Sequence, residues 1–348
     1  MIPRPLPRSD LEHVLSLTAP LWEEARGARF FITGGTGFFG CWLLESLLYA
    51  NRALQLGSKV TVLTRDPDRF KHKSPHLAAA PELELLAGDM ATLTPSSERF
   101  DYAFHVATET RPNYGTVDPV TLFWSNIEGT RRFLDFVRAA GVRKFLFTSS
   151  GAVYGAQPAD VPMLLESDLR APDPVDPRSA YGESKRASEM LCALASMPGV
   201  CEGRVARCFA FVGPLLALDA NYAVGNLIGD AMSGGPLKIG GDGTPRRSYL
   251  YSSDLATWLW TILFRGQSGR LYNVGSEDHL SIRDLAEKVR SLVAPTARIE
   301  MGRQPVLGSP ANLYIPSTNR ARQELGLAVR IPLDDAILRT VAWHRSSV

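Results

Sequence analysis

Through the first two hundred residues, short apolar runs alternate with longer stretches in which apolar positions recur every three or four residues. That alternation predicts βαβ units building a parallel sheet. The strand-like runs are RFFIT (Arg29 to Thr33), KVTVLT (Lys59 to Thr64), LELLA (Leu83 to Ala87), YAFHV (Tyr102 to Val106), KFLFTS (Lys144 to Ser149) and RVARCF (Arg204 to Phe209). Between them lie amphipathic segments at Phe38 to Ala50, Thr121 to Ala140 and Ala180 to Ser196, which right-handed crossovers place on both faces of the sheet. Ahead of the first strand, Ser9 and Glu12 have the spacing of a capping box, predicting a short helix from Asp10 to about Ala19 that Pro20 interrupts. Beyond Phe209, glycine and proline cluster in GGPLKIGGDGTPRRS and the helical pieces shorten. The pattern predicts an α/β chain: an N-terminal helical packing arm over 1–28, a doubly wound Rossmann parallel sheet over 29–209, and a smaller α/β substrate lobe over 210–348 whose chain can cross back. The proline- and aspartate-rich loop from Gly155 to Ser179 is long enough to suggest a function. The stretch TWLWTILF (Thr257 to Phe264) reads as a buried helix face.

Composition narrows the partners. With 348 residues, 45% hydrophobic and 21% charged, the chain can bury one large or two smaller cores. A net charge of +2 with scattered arginines argues against a nucleic-acid or membrane surface. No apolar run approaches the ~20 residues of a membrane span, and no export signal is visible, so a cytoplasmic protein is expected. Cys41, Cys192, Cys201 and Cys208 form no CxxC pair and read as free thiols. The histidines show no metal spacing, no metal is assigned, and His105 at the end of the fourth strand reads as a core imidazole.

Strand RFFIT runs into GGTGFFG and then a helix, so Gly34, Gly37 and Gly40 fall where a dinucleotide-binding turn needs them. Such a turn bends sharply, brings backbone close to a pyrophosphate, and offers a helix N-terminus to the anion. The second strand ends Thr64, Arg65, Asp66, where NAD enzymes place a carboxylate for the ribose hydroxyls. Arg65 can pair with a 2′-phosphate, which favours NADP and leaves NAD possible. Asp89, closing the third strand, suits either an adenine contact or a turn cap. Further on, SSGAVYG follows the fifth strand and YGESK opens a helical stretch, placing Tyr181 and Lys185 at i and i+4 on one face. A phenol with an ordinary pKa near ~10 exchanges protons at neutral pH only if its phenolate is stabilised, and a neighbouring ammonium does this. Ser150 can hold the same substrate oxygen beside a nicotinamide.

Taken with TGGTGFFG, AGDM, FHVAT, NIEGT, RCFAFVGP, RRSYLYSSDLA and YNVGS in that order, these motifs resemble the extended short-chain dehydrogenase/reductase family of sugar-nucleotide epimerases, dehydratases and ketoreductases, from Arg29 onward. The resemblance implies Tyr181 as acid/base, Lys185 lowering its pKa and binding the nicotinamide ribose, Ser150 orienting the reacting oxygen, and Asn126 supporting the lysine. It further implies Phe38, Phe39, Met90 and Ala107 at the cofactor, Arg247 on a substrate diphosphate, and Asn226 at the sugar nucleotide. Two positions depart from the family pattern: Ala210 replaces a common asparagine, and Ser248 replaces the aspartate that follows the arginine. The amphipathic segments from Thr121 and Ala180 resemble the pair through which the family forms homodimers.

Dehydratases of the family carry Asp and Glu directly after the catalytic hydroxyl residue, and related decarboxylases keep the Glu. Here those positions are Gly151 and Ala152, which neither give nor take a proton. Hydride plus one proton remains, and the sequence ranks reduction of an NDP-keto (4-keto-6-deoxy) sugar first, on Arg65, and an epimerase with tightly bound NAD second. Dehydration or decarboxylation comes third, with Glu109 or Glu166 as loop carboxylates that could supply a proton. A cofactor-binding sensor is the non-enzymatic alternative, disfavoured by the presence of Ser150, Tyr181 and Lys185 together.

Overall fold

In a computed structural model that describes residues 4–108, 118–197, 201–220, 222–306 and 312–346, the apolar runs become strands β1 (Arg29–Thr33), β2 (Lys59–Thr64), β3 (Leu83–Ala87), β4 (Tyr102–His105), β5 (Lys144–Ser150) and β6 (Glu202–Cys208). A late strand, Arg270–Val274, returns to pair in parallel with β6, completing a seven-stranded sheet. Its order is Arg270–Val274, β6, β5, β4, β1, β2, β3, and every neighbouring pair is parallel. The strand order reverses between β1 and β4, and the crevice beyond their C-terminal ends is where doubly wound sheets receive ligands.

Alternation along β1 assigns the two faces. Phe30 and Ile32 join a core with helices α1 (Arg8–Thr18), α2 (Phe38–Leu54) and, near the chain's far side, Ser252–Arg265, through residues including Trp42 and Trp260. Phe31 points the other way, into Phe133, Phe136, Phe145 and Cys192. The second face is covered by α5 (Pro119–Ala139) and α6 (Ala180–Ala195); α3 (Pro67–Lys73) and α4 (Pro75–Ala78) follow β2. The TWLWTILF stretch is buried throughout. A second cluster, with Val212, Leu227, Ile228, Leu285 and Ile337, gathers α7 (Ala223–Met232) and later helices beside a three-stranded sheet of Arg246–Ser248, His279–Ser281 and Leu313–Tyr314.

The arm folds differently from its sequence expectation. Helix α1 starts at Arg8 behind Pro7 and has no side-chain cap. The Pro7 carbonyl accepts from both Asp10 and Leu11 N–H groups, which draws Ser9 inside the helix, and Glu12 pairs with Arg8 at 2.8 Å instead of closing a capping box. Pro20 does not end the helical path; it opens a 3-10 turn over Ala19–Ala25, where the first-turn position leaves its missing N–H harmless. Trp22 is fully buried against Trp260 at 4.7 Å. Buried Asp10 accepts from Tyr251 at 2.6 Å and from Arg339 at 2.7 Å.

Candidate active site

The three motif glycines have separate physical reasons. Gly34 has φ +72°, and a Cβ on it stands 2.5 Å from the Ala107 nitrogen. Gly40 lies inside α2, where a Cβ stands 2.3 Å from the Gly34 carbonyl oxygen. Both are demanded by the fold itself. Gly37 is not: the nearest atom to its Cβ is at 3.5 Å, an ordinary contact. Gly37 precedes α2, whose N-terminus has no side-chain cap, so its open space and the helix's first N–H groups together suit a pyrophosphate.

The turn forms one end of a cavity of about 1360 Å³ at the sheet's switch point. Gly34, Gly37, Phe38, Phe39, Thr64, Arg65, Asp89, Met90 and Ala107, all expected at a cofactor, line the end beside the turn; Asn126, Ser150, Tyr181, Lys185 and Arg247 line the rest. Two expected residues are absent from this lining. Gly40 packs within the turn, and Asn226 sits on α7 with its Oδ1 buried and without a hydrogen-bond partner. Past the end of β2, Asp66 accepts from the Arg69 N–H at 2.8 Å and caps α3, so the carboxylate expected to reach a ribose is engaged in the cap. Asp89 bonds Thr92 through its side chain and backbone. Those bonds, with a smaller contribution from Arg65, hold its carboxyl below the usual range.

Ser150 ends β5 and accepts from the Ala152 N–H at 3.1 Å. Tyr181 and Lys185 stand on the first turns of α6. Lys185 is 2% exposed, donates to the Thr148 carbonyl at 3.0 Å, and lies 6.0 Å from the centre of the Tyr181 ring. Burial pushes Lys185 down to about 8 and Tyr181 up to about 12. Hydrogen bonding from Ser150 and Thr108 works against the Tyr181 rise. Asn126 donates to Ser184 at 3.2 Å and accepts from Thr108 at 3.1 Å. It braces α5 against α6 one residue before the lysine.

Other candidates separate from this cluster. His105 is fully enclosed, bonds Thr33 and Thr130, stacks on Phe133 at 4.7 Å, and is pushed down to about 3 by burial and Lys185, so it is neutral. Glu166 accepts from the Asn273 backbone N–H at 3.0 Å, with Arg320 beyond it, outside the cavity lining. Glu109 lies outside the described residues. Among the described residues, no group of three His, Cys, Asp or Glu is placed to hold a metal, and no helix is long and apolar enough to cross a membrane.

Arg247 enters from the second lobe. Its guanidinium donates to the carbonyls of Arg246 and Asn312 at 2.8 and 2.9 Å and to Asn312 Oδ1 at 3.0 Å, which fixes its plane. Ala210 leaves open space in the same wall, while Ser248 is buried with its hydroxyl unpartnered. Sequence reasoning missed Tyr314, which shares the cavity. It pairs in register with Arg247, its ring packs on Phe209 at 4.7 Å, and its hydroxyl lies 2.6 Å from where a Cβ on Gly151 stands. No local motif marks it, because only the pairing of two short strands brings it there.

A family model described as the NAD dependent epimerase/dehydratase family matches residues 30–275. UDP-glucuronic acid decarboxylase 1 of Arabidopsis thaliana is 29% identical over 320 residues, covering 92% of this chain and 70% of that protein. Its namesake in Danio rerio is 28% identical, covering 90% and 72%. Among solved structures, a dTDP-glucose 4,6-dehydratase from Streptomyces venezuelae with NAD and TYD bound superposes with a TM-score of 0.76 at 24% identity, covering 91% of this chain and 97% of that one. A UDP-glucose 4-epimerase with UDP-glucose from Thermotoga maritima gives 0.76 at 21%, covering 92% and 99%.

Proposed function

The chain belongs to the NAD-dependent epimerase/dehydratase family, and from that premise we propose that it epimerises a sugar nucleotide at one carbinol carbon, by oxidation and re-reduction without elimination. The carrying observation is the convergence of Ser150, Tyr181 and Lys185 on the cavity that the glycine turn opens, next to Gly151 and Ala152, which offer no carboxyl. A nicotinamide dinucleotide would lie from Arg65 and Asp89, across Gly37, to Lys185, and when bound it supplies the acceptor and donor of the hydride. Tyr181 takes the carbinol proton as the hydride leaves and returns it on re-reduction, while Ser150 holds the oxygen. With a pKa of about 8, Lys185 keeps its proton at neutral pH and favours the Tyr181 phenolate. Arg247, its plane fixed by Asn312, would take the substrate diphosphate.

Reduction of a keto sugar by NADPH is the second reading. It rests on Arg65, whose charge already serves Asp89, and on Asp66 being engaged as a cap. The relatives carry the names of sugar-nucleotide decarboxylases, a dehydratase and an epimerase, and none that of a reductase, which supports the decarboxylase and dehydratase reading by name and places reduction behind epimerisation with NAD. Dehydration and decarboxylation fall behind because Gly151 and Ala152 are inert and Glu166 is tied to Asn273. A sensor needs no Tyr181 and Lys185 pair.

We also propose a cytoplasmic homodimer formed through α5 and α6. Val120 and Trp124 on α5 are 62% and 61% exposed, and Met190 and Leu194 on α6 are 62% and 55% exposed, an apolar stripe at helical spacing. The free thiols fit a reducing compartment. Sedimentation of wild type against Trp124→Glu tests the dimer: a monomeric wild type removes it. For the reaction, the cofactor released from purified protein is identified by mass, and NAD(P)H is followed during incubation with UDP- and dTDP-hexoses. Retained NAD, an epimeric product and no net NADH support the proposal. Stoichiometric NADPH consumption with a keto sugar establishes the second reading instead.

A further inference from the structure

Helix α6 bonds the end of β5 twice. Lys185 Nζ donates to the Thr148 carbonyl at 3.0 Å, and one turn further along the helix Glu189 Oε1 accepts from the Ser149 hydroxyl at 2.6 Å. Thr148 and Ser149 lead directly into Ser150, so both bonds fix the strand end that carries the reacting hydroxyl. Glu189 is itself gripped from β6. Arg207 donates to Oε1 through Nε at 2.9 Å and to Oε2 through Nη2 at 2.6 Å, a two-pronged hold on the planar carboxylate. Ser149 and Arg207 are paired in register on adjacent strands, so both meet Glu189 from one face of the sheet. Beyond them, the Arg207 guanidinium lies 4.6 Å from the centre of the Tyr154 ring, whose hydroxyl donates to Asn273 Oδ1 at 2.7 Å.

The Arg207 and Glu189 side chains are 8% and 10% exposed. Burial works to lower Arg207, and its bonds to Glu189 carry it above the ordinary range instead, so the pair stays ionised. Glu189 follows Lys185 by four residues, the spacing that stacks two helix side chains on one face with Cβ atoms about 5–6 Å apart. Facing Lys185 are Tyr181, Glu189 and Cys192 on its own helix, His105 on β4 and Cys208 at the end of β6. Facing Glu189 are Ser149, Arg207, Lys185 and Cys192. Burial holds Tyr181 and Cys208 up at about 12 and raises Cys192 likewise, while His105 is pushed down to about 3. Among the described residues that face the lysine, Glu189 is therefore the one that carries charge near pH 8.

We propose that Glu189 is a positioning residue for Lys185: gripped by Arg207 and bonded to Ser149, it sets the lysine against β5 beside Ser150 and supplies the negative charge that keeps the buried ammonium protonated during the reaction. The inference rests on the role given above to Lys185. It gives the Arg207 grip a function as well, because a carboxylate shared with a second cation acts less strongly on the first. The two partners therefore pull Lys185 in opposite directions. Loss of Glu189 leaves two buried cations without an anion, whereas loss of Arg207 turns the whole carboxylate charge on the lysine.

The test reads Lys185 without turnover. In the cofactor-free full chain, the difference in unfolding stability between the wild type and Lys185→Met is followed across pH, and it begins to change where the folded lysine starts to lose its proton, at about 8. Glu189→Gln keeps the shape and an acceptor for Ser149, and placed in both chains is expected to move that point down by about one pH unit. Arg207→Gln, placed in both chains, is expected to move it up. On the UDP- and dTDP-hexose panel with NAD-loaded protein, the basic limb of kcat should move the same ways, with Glu189→Gln about tenfold slower above that limb and KM unchanged. Opposite shifts support the proposal, and either variant decides it if the other does not fold. An unmoved point in either, or shifts of the same sign in both, overturns it and leaves the pair as packing. An NAD-loaded protein inactive on every sugar nucleotide removes the epimerase reading while the stability shifts still stand.

Discussion

The two ends of the cavity are built by opposite strategies. At the cofactor end, the turn from Gly34 to Gly40 is one contiguous segment, and two of its glycines are fixed by clashes within the same few residues or with Ala107. At the substrate end, Ser150, Tyr181, Arg247 and Tyr314 come from four separate elements, and the last two meet only because Arg246–Ser248 pairs with Leu313–Tyr314. A local constraint can be satisfied by a motif. A wall assembled from distant strands can change its chemistry by single substitutions while the sheet beneath it stays the same. Ala210 and Ser248, the two departures from the family pattern, and Gly151 and Ala152, which stand where its dehydratases carry acids, all lie in or beside that wall.

The largest expected effect is on the reacting centre. Tyr181→Phe should reduce kcat by about 10³-fold while NAD affinity stays within a few-fold, measured by steady-state kinetics and calorimetry. Equal loss of both would mean that the two ends are not separable. Next, Arg247→Ala should raise KM for the sugar nucleotide roughly 30-fold, from the loss of charge-assisted hydrogen bonds, with little change in kcat. A fall in kcat instead would move Arg247 from the diphosphate to the reacting sugar.

Glycine substitutions sharpen the contrast inside the cofactor end. Gly37→Ala should weaken NAD binding about tenfold and leave the melting temperature of the cofactor-free protein unchanged, because its Cβ meets nothing nearer than the Gly34 carbonyl oxygen at 3.5 Å. Gly40→Ala should destabilise the protein by about 1–3 kcal/mol, because its Cβ overlaps the Gly34 carbonyl. Thermal melts with and without NAD distinguish the two.

The smallest effect is a stability change at Lys185. The unfolded chain holds this lysine's proton up to about 10.5, and the folded protein, before cofactor binds, only to about 8. Between those values the unfolded state binds more protons, so stability attributable to Lys185 rises as pH increases from about 8 to 10.5 and is lowest below that window. Lys185→Met should therefore melt higher than wild type at neutral pH, lose that advantage toward pH ~10.5, and be inactive. A variant that melts lower at neutral pH would show that the buried ammonium is well compensated.

Legibility in the sequence follows the same division. The six early strands and the glycine turn could be read because short apolar runs and local turn chemistry are written in neighbouring residues. The pairing of Tyr181 with Lys185 was readable for the same reason, one helical turn apart. Tyr314 was not, since its strand partner Arg247 is far away in sequence and the strand that carries it is two residues long. Nor was the start of the arm, where Pro7 and buried Asp10 outweighed the Ser9 and Glu12 spacing. Asp66 and Asp89 could be named as candidates, but whether each carboxylate faces a ribose or caps a turn depends on hydrogen bonds that spacing does not encode.

The central claim is that hydride leaves and returns to one sugar carbon with no loss of water or carbon dioxide. Incubating NAD-loaded protein with UDP- and dTDP-hexoses, and with UDP-glucuronic acid, in deuterium oxide tests it directly by mass spectrometry and NMR. The account predicts an epimeric product whose inverted carbon carries no solvent deuterium. Carbon dioxide release, or a 4-keto-6-deoxy product with deuterium at C5, would contradict it.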